Sequence, residues 1–307
     1  MGFDIKLTSP KWARITKSSQ DTSGRANKKR QLWSNFIPSM CLGCWENEFL
    51  KSFLTMKIQY CSDLHLEFPE NQKFLRRNPL TVVGDILVLA GDVVTFRDLE
   101  KGHEFIDFAC DHYSTVYWVP GNHEYYGMDI ACKPNPLYEK IRDNFFLVNN
   151  CSIAVGGIKL VLTTLWSRID PRHEWDIQRS VADFSAVVYR GRKYTSQDFT
   201  FLHEESLMFL KEAFRGPGDV PTVVATHHVP SLMNYPPIYK NSPLTEAFAV
   251  ELFDLIEDSG AACWIYGHHH VNTPEFNIGR TKMLTNQLGY VRHFEHGSFR
   301  RDALVEV

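Results

Sequence analysis

No stretch of eighteen apolar residues occurs anywhere in this 307-residue chain, which argues against a membrane-spanning helix. The opening segment MGFDIKLTSPKWARITKSSQ has neither the short charged head nor the continuous apolar run of a secretory signal. A soluble, cytoplasmic protein with no membrane partner is expected. Cysteine is sparse, and its seven copies are an odd number without framework spacing. Cys61, Cys110, Cys151 and Cys263 lie in or beside apolar runs, where a buried, reduced thiol is ordinary. That points to a reducing compartment. No internal repeat is visible, and 44% apolar with 13% aromatic content excludes a disordered or fibrous chain.

Positive charge is also scarce where chemistry would need it to grip a polyanion. Residues 56–307 hold 24 Lys/Arg against 32 Asp/Glu, whereas residues 1–55 hold nine against four. The acidic balance of the larger part argues against a nuclease clamping long nucleic acid, which needs a basic stripe. Residues 1–55 show no sustained period of 3.6 or 2. They are expected to be a basic, poorly ordered extension or a piece outside the native domain, with Met56 an alternative start. A targeting presequence and a Cys41/Cys44 redox or metal pair are the sharper readings. The lone CxxC lacks a second pair.

From Met56 the pattern changes. KIQYCSD (57–63), ILVLAGD (86–92), VYWVPGN (116–122), TVVATHH (222–228) and CWIYGHH (263–269) are short apolar or β-branched runs, each ending in Asp, Asn or His. They read as buried strands. Helical patterns occupy 98–113, 196–214 with Ser196 as N-cap, and 244–260 with a closing Gly260. Strand and helix alternate, so the class is α/β. Two β runs around Gly156-Gly157 predict a hairpin within 151–166, and so a partly antiparallel sheet.

What stands at the strand ends carries the functional reading. Asp63 and His65, Asp92, Asn122 and His123, His227 or His228, and His268 to His270 all follow the carboxyl ends of predicted strands, where open α/β sheets bind ligands. Any one alone is ordinary: an Asp after a strand is usually a turn or cap residue, and a lone His is usually structural. Five in succession are a different matter, because every one offers metal-ligand chemistry. Asp, Asn and His without a thiolate suit Mn, Fe or Zn at five- or six-coordination rather than a structural zinc or calcium site. There are too many ligands for one ion. Two ions roughly 3.5–4 Å apart, bridged by a carboxylate, would use them all.

The ordered set DxH, GD, GNHE, TH and GHxH over residues 56–307 resembles the calcineurin-like metallophosphoesterase superfamily. GNHEYYG, TTLWS, VADFSAVVYRGRKYTSQD, LHEESLMFL, VVATHHVPS and NQLGY look like a bacterial-type, substrate-unassigned branch of it. The resemblance implies a four-layer α/β/β/α sandwich of two mixed sheets flanked by helices. It also implies a phosphoester hydrolase with a dinuclear metal centre, in which a metal-bridging hydroxide attacks phosphorus in line. By the same resemblance Asp63, His65 and His270 hold one metal, Asn122, His227 and His268 the other, and Asp92 bridges. His123 is then the acid for the leaving alkoxide, and Glu124 orients a neighbour.

Two choices stay open within this reading. His227 is preferred as the ligand of THHVP, leaving His228 to line the site, but His228 is the alternative. Tyr125, Tyr126, Trp166, Arg168, Asn286 and Tyr290 lie near the motifs and are candidates to line a substrate pocket. Each is equally a packing residue, and Arg168 alone has an electrostatic reason to meet phosphate.

Departures from the best-known branch matter. Ser/Thr protein phosphatases continue the GD motif with an Asp that supports the acid histidine and an Arg that grips phosphate; here Thr95 and Phe96 take those places. Protein-phosphatase activity is therefore not expected, and His123 needs another carboxylate. A small phosphodiester or nucleotide-like substrate is the leading reading. A nucleotide-sugar-type pyrophosphatase, suggested by SDLHLE, and a nuclease acting on short single strands are alternatives. A non-catalytic scaffold of the same fold would have lost motif positions, and none is lost.

Finally, GHHH places three histidines in a row. In an extended strand end successive side chains alternate, so His268 and His270 would face the site together. His269 would be a spacer at the rim or behind a ligand.

Overall fold

The computed structural model describes residues 55–307 apart from 217, 219, 240 and 241. The expectations for residues 1–54, Cys41 and Cys44 included, lie outside the described residues.

Two six-stranded mixed sheets form the body. In the first, strands β1 (Lys57–Cys61), β2 (Ile86–Ala90), β3 (Thr115–Val119) and β5 (Phe145–Asn149) run parallel, with β4 (Leu137–Arg142) and β14 (Leu304–Glu306) antiparallel at the edges. The second has the same plan: β7 (Ile158–Thr163), β10 (Thr222–Thr226), β11 (Cys263–Tyr266) and β13 (Thr281–Thr285) are parallel, and β6 (Cys151–Val155) and β12 (Phe276–Ile278) close it antiparallel. A short hairpin, β8 (Val188–Tyr189) with β9 (Arg192–Lys193), stands apart.

Period-two alternation explains why the central strands are apolar throughout. Ile86, Val88 and Ala90 of β2 face the second sheet and meet Leu160, Leu162, Val223, Ala225 and Ile265. Leu87 and Leu89 face outward, under Leu75 of helix α1 (Pro69–Arg77) and Ile106 and Ala109 of α2 (His103–His112). On the other side Val224, Trp264 and Met283 pack beneath Leu210 of α5 (Ser196–Ala213) and Ile256 of α6 (Phe253–Ser259). Two short helices, α3 (Glu174–Ser180) and α4 (Asp183–Ala186), complete the chain. Helices thus cover both outer faces, giving the four-layer α/β/β/α sandwich.

Several expectations need correction. Each motif strand stops two or three residues before its predicted end, so the Asp, Asn and His residues lie in tight loops. The helix of 98–113 begins as a 3-10 turn, Phe96–Gly102, that feeds α2. Ser196 does not cap α5. Thr195 does, in a capping box with Asp198. The helix expected over 244–260 is split: Ala249 pairs with Val229 as an isolated bridge, and the Glu251 carboxylate accepts from Ser231 Oγ, Leu232 N and Phe253 N. These long-range bonds hold 249–252 away from helical form. Gly260 does close α6, at φ 55°. The hairpin at Gly156 and Gly157 also forms, with φ of 55° and 83°, as a two-residue hairpin turn with positive φ at both positions requires.

Candidate metal centre

The loops after β1, β2, β3, β10 and β11 meet at the carboxyl ends of the two sheets. Asp63 N and His65 N donate to Gly91 O and Asp92 O, both at 2.9 Å. Across the sheets, His227 Nδ1 lies 2.9 Å from Ala90 O, and His268 N donates to both carboxylate oxygens of Asp63, at 3.0 and 3.1 Å. The glycines of the motifs make this approach possible. A Cβ at Gly121 would overlap Asp92 Oδ1, and one at Gly91, whose φ is 91°, would overlap the His227 ring.

Five of the gathered residues adopt left-handed backbone: Asp63 (φ 55°), His65 (47°), Asp92 (54°), His268 (81°) and His270 (57°). Each such conformation costs a non-glycine residue about 1–2 kcal/mol, so the hydrogen bonds just described hold it in place. The histidines of GHHH do not alternate along a strand, contrary to expectation. β11 ends at Tyr266, and the histidines beyond it are not extended.

Three groups of ligating atoms result, each within 4.8 Å: Asp63, His65, Asp92 and His270; then Asp92, His227 and His268, which shares Asp92 with the first; and His65, Glu67 and His123 beside them. In the first, His65 Nε2 and His270 Nε2 are 2.9 Å apart, and His270 Nε2 is 3.4 Å from Asp63 Oδ1. In the second, His227 Nε2 lies 3.0 Å from His268 Nδ1, 3.1 Å from Asn122 Oδ1 and 3.4 Å from Asp92 Oδ1. The other oxygen of Asp92, Oδ2, is 3.8 Å from His65 Nε2. Each carboxylate oxygen of Asp92 is therefore turned to a different group.

Outer partners decide which nitrogen of each ring looks inward. His65 Nδ1 meets Glu67 Oε1 at 3.1 Å, His270 Nδ1 meets Glu295 Oε2 at 2.7 Å, and His268 Nε2 approaches Ala247 O at 3.4 Å. With the Ala90 carbonyl on His227, all four outer nitrogens face acceptors and so carry hydrogen. The inner nitrogens then confront one another as lone pairs, unless a proton or a cation lies between them.

The charge balance agrees with that reading. Burial disfavours charge on His270, but Asp63 and Glu295 outweigh it and raise the ring to about 10. Its partner His65 is pushed down by burial and by His123. His227 is raised to about 9, with Asp92 overcoming burial, while burial and the neighbouring histidines His228 and His227 hold His268 well below the usual range. In each pair one ring is thus biased toward positive charge and the other against it. The residues present therefore suit two divalent ions, with mixed oxygen and nitrogen donors.

Around this centre the remaining candidates separate. His123 N donates to Asp92 Oδ1 at 3.0 Å, its Nδ1 is 3.1 Å from Glu67 Oε1, and its Nε2 is 3.2 Å from Tyr290 OH. Its ring stacks on Tyr126 at 4.1 Å. Glu124 is buried and accepts from Asp92 N, Val93 N, Gly121 N and Trp118 Nε1 at 2.7–3.0 Å, which ties the GD loop to the GNHE loop. His227, and not His228, joins the cluster. His228 packs behind it against Trp166, Phe199 and His268, so the lining role expected of it is corrected. His269 Nδ1 accepts from Gln287 Nε2 at 2.9 Å and reaches only the cavity wall.

Tyr126 and Tyr290 line a cavity of about 410 Å3 above the centre. Four other pocket candidates do not. Tyr125 and Trp166 are core residues, Asn286 bonds to the backbone of Tyr60 and Arg300, and Arg168 is exposed and outside the cavity wall. Leu165 and Trp166 sit at φ 69° and 55°. That turn sends Trp166 inward, with Arg168 left at the surface.

Three carboxylates are present that sequence reasoning left without a role. Glu67 lies inside SDLHLE, so its signal was in view. Asp183, which accepts from Asn122 Nδ2 at 2.8 Å and Tyr126 OH at 2.6 Å, lies inside VADFSAVVYRGRKYTSQD, and Glu295 follows no motif.

Comparison with known proteins places this arrangement. Residues 56–272 match the family model described as calcineurin-like phosphoesterase. An uncharacterised protein of Acanthamoeba polyphaga mimivirus is 28% identical over 283 residues, covering 81% of this chain and 96% of that protein. The crystal structure of phosphopantetheinyl hydrolase from Mycobacterium tuberculosis shares the fold, with a TM-score of 0.60, 16% identity and coverage of 82% of this chain and 95% of the other. The chain belongs to the calcineurin-like phosphoesterase family and is a metal-dependent phosphoester hydrolase.

Proposed function

We propose that the protein hydrolyses a small phosphoester, a phosphodiester or nucleotide-like molecule, at a centre of two divalent cations drawn from Mn, Fe and Zn. The observation that carries this reading is the pair of ligand groups sharing Asp92, one carboxylate oxygen turned to each. Asp63, His65 and His270 would hold one ion, Asn122, His227 and His268 the other, and Asp92 both. When bound, such ions acidify water toward neutrality and neutralise phosphoryl oxygens.

The chain's own residues supply the rest. His123 reaches the cavity through Nε2, and the Asp92 and Glu67 carboxylates outweigh burial and raise its pKa. Both carboxylates favour the protonated ring, the form able to donate to a leaving alkoxide. Tyr126 and Tyr290 fix the plane of its ring. Tyr235, Tyr239, Leu244 and Phe248 add aromatic and apolar lining to the cavity, suited to a flat or apolar substituent rather than a second highly charged group. The cavity volume, about 410 Å3, suits a small molecule, and the acidic balance of residues 56–307 disfavours a long polyanion.

A matrix of Mn, Zn, Fe and Mg against a phosphomonoester, a phosphodiester, a pyrophosphate, a phosphopantetheinyl ester and a short single-stranded nucleic acid tests the proposal. Turnover is expected with a phosphodiester and about two bound ions per chain. Absence of turnover on every ester, with less than one bound ion, would sink it.

A further inference from the structure

We infer that Glu67 is the positioning carboxylate of the acid histidine, and that its one oxygen sets the hydrogen placement of two histidines with different tasks. The inference rests on the function proposed above, in which His65 holds a metal and His123 protonates the leaving group. Protein phosphatases of this fold carry an Asp near the GD motif for the second task. Thr95 and Phe96, which stand there in this chain, do not reach His123: Thr95 Oγ1 bonds to Asp98 at 3.2 Å, and Phe96 packs on Trp118 and Tyr125.

Glu67 takes the place of that acid from a different motif. Its Oε1 lies 3.1 Å from His65 Nδ1 and 3.1 Å from His123 Nδ1. The two rings meet edge to face, with centroids 4.5 Å apart. The side chain is only 8% exposed, and Oε2 is buried with no hydrogen-bond partner among the described residues. The carboxylate is therefore committed through one atom. An ionised carboxylate only accepts, so both Nδ1 atoms must carry hydrogen. His65 Nε2 is then left to face His270, and His123 Nε2 to face the cavity beside Tyr290 OH. A fold that merely buried Glu67 would have no reason to place two imidazole edges on one oxygen.

The oxygen of water forms the new P–O bond as the leaving P–O bond breaks. The proton on His123 Nε2 passes to the leaving oxygen, and a proton of the attacking water goes to solvent. His123 ends neutral with its Nδ1–H still on Glu67, and regains its Nε2 proton from water. Glu67 touches no reacting atom.

The test uses the metal-loaded full chain, with Glu67→Gln and the charge-free Glu67→Leu. Two diesters sharing one phosphoryl portion are compared, one with a p-nitrophenyl and one with an alkyl leaving group. For the alkyl ester, which needs its proton most, kcat should fall about 100-fold in Glu67→Leu. The p-nitrophenyl ester should lose far less, and KM should hardly move. Glu67→Gln, which keeps an acceptor oxygen, should be intermediate and retain both metals. In zinc-loaded, 15N-histidine-labelled protein, the downfield Nδ1–H signals of His65 and His123 should both disappear in Glu67→Leu. Equal losses for the two leaving groups, or unchanged Nδ1–H signals, would overturn the inference. So would a wild-type content above two ions per chain that falls in Glu67→Gln, since that would place a cation among His65, Glu67 and His123. If the wild type cleaves neither ester, the function proposed above fails, while the nitrogen signals still decide what Glu67 bonds to.

Discussion

His65 Nε2 and His270 Nε2 face each other at 2.9 Å while their outer nitrogens are held by Glu67 and Glu295. Two lone pairs do not rest at that separation, so the inner space belongs to a positive charge. His227 and His268 repeat the arrangement at 3.0 Å with a backbone carbonyl behind each ring. The two pairs thus offer the donor set that two cations would need.

Metal uptake should therefore release protons. His270 and His227, raised to about 10 and about 9, carry their extra proton at pH 7, and a ligand nitrogen must lose it. Calorimetric titration of metal-free protein in buffers of different ionisation enthalpy should show about two protons released per chain. Apparent affinity should rise with pH and level off above about pH 9–10. A pH-independent affinity between pH 6 and 9 would contradict the assignment.

Asp92→Asn and His123→Ala should separate holding metal from using it. Asp92 turns one oxygen to each group, so the amide should lower metal content and abolish turnover together. His123→Ala removes no ligand. It should leave about two ions in place and lower kcat on an alkyl ester by about 100-fold or more. Retained activity would remove His123 from the acid role.

His269→Thr should leave both metals bound. The ring is held by Gln287 Nε2 and flanked by Tyr235 and Tyr266, away from Asp92. Burial keeps it neutral, with a pKa lowered to about 4. Metal analysis of the purified variant decides the point, and loss of either ion would contradict it.

The central strands were legible because each is buried on both faces and reads as an unbroken apolar run up to a ligand. The ligand types were legible for the same reason, since Asp, Asn and His break those runs abruptly. What escaped was everything fixed by long-range contact. The 244–260 segment has helical periodicity, yet the bonds of Glu251 and the Ala249–Val229 bridge divide it. Arg168 has the charge to meet phosphate, but the left-handed turn at Leu165 and Trp166 leaves it at the surface. GHHH appeared to need strand alternation, and the structure reaches a similar separation of roles through positive φ. Glu295 is distant in sequence from His270 and no local pattern marks it, while Asp183 stands inside VADFSAVVYRGRKYTSQD with nothing there to connect it to Asn122. Glu67 stood inside a recognised motif, but only the fold brings His123 onto its oxygen.

The capping box of α5 offers a stability test remote from the chemistry. Thr195 Oγ1 accepts from Asp198 N at 3.3 Å, Asp198 Oδ2 accepts from Thr195 N at 3.0 Å, and Arg192 meets both carboxylate oxygens at 2.6 and 2.7 Å. Asp198→Ala removes one arm of the box and leaves Arg192 without its partner, so it should cost about 1–2 kcal/mol in urea unfolding. Burial pushes Asp198 up, but Arg192 and Thr195 outweigh it and hold the pKa below the ordinary 3.8. A depressed folded-state value stabilises above the unfolded one and ceases to do so as pH falls through it. The gap between wild type and Asp198→Ala should thus be constant from pH 5 to 7 and narrow below about pH 3.8, while metal content and kcat stay unchanged. A gap that does not narrow at all as pH falls below about 3.8 would show that the helix start is held by packing of Phe199 and Leu202 rather than by its cap.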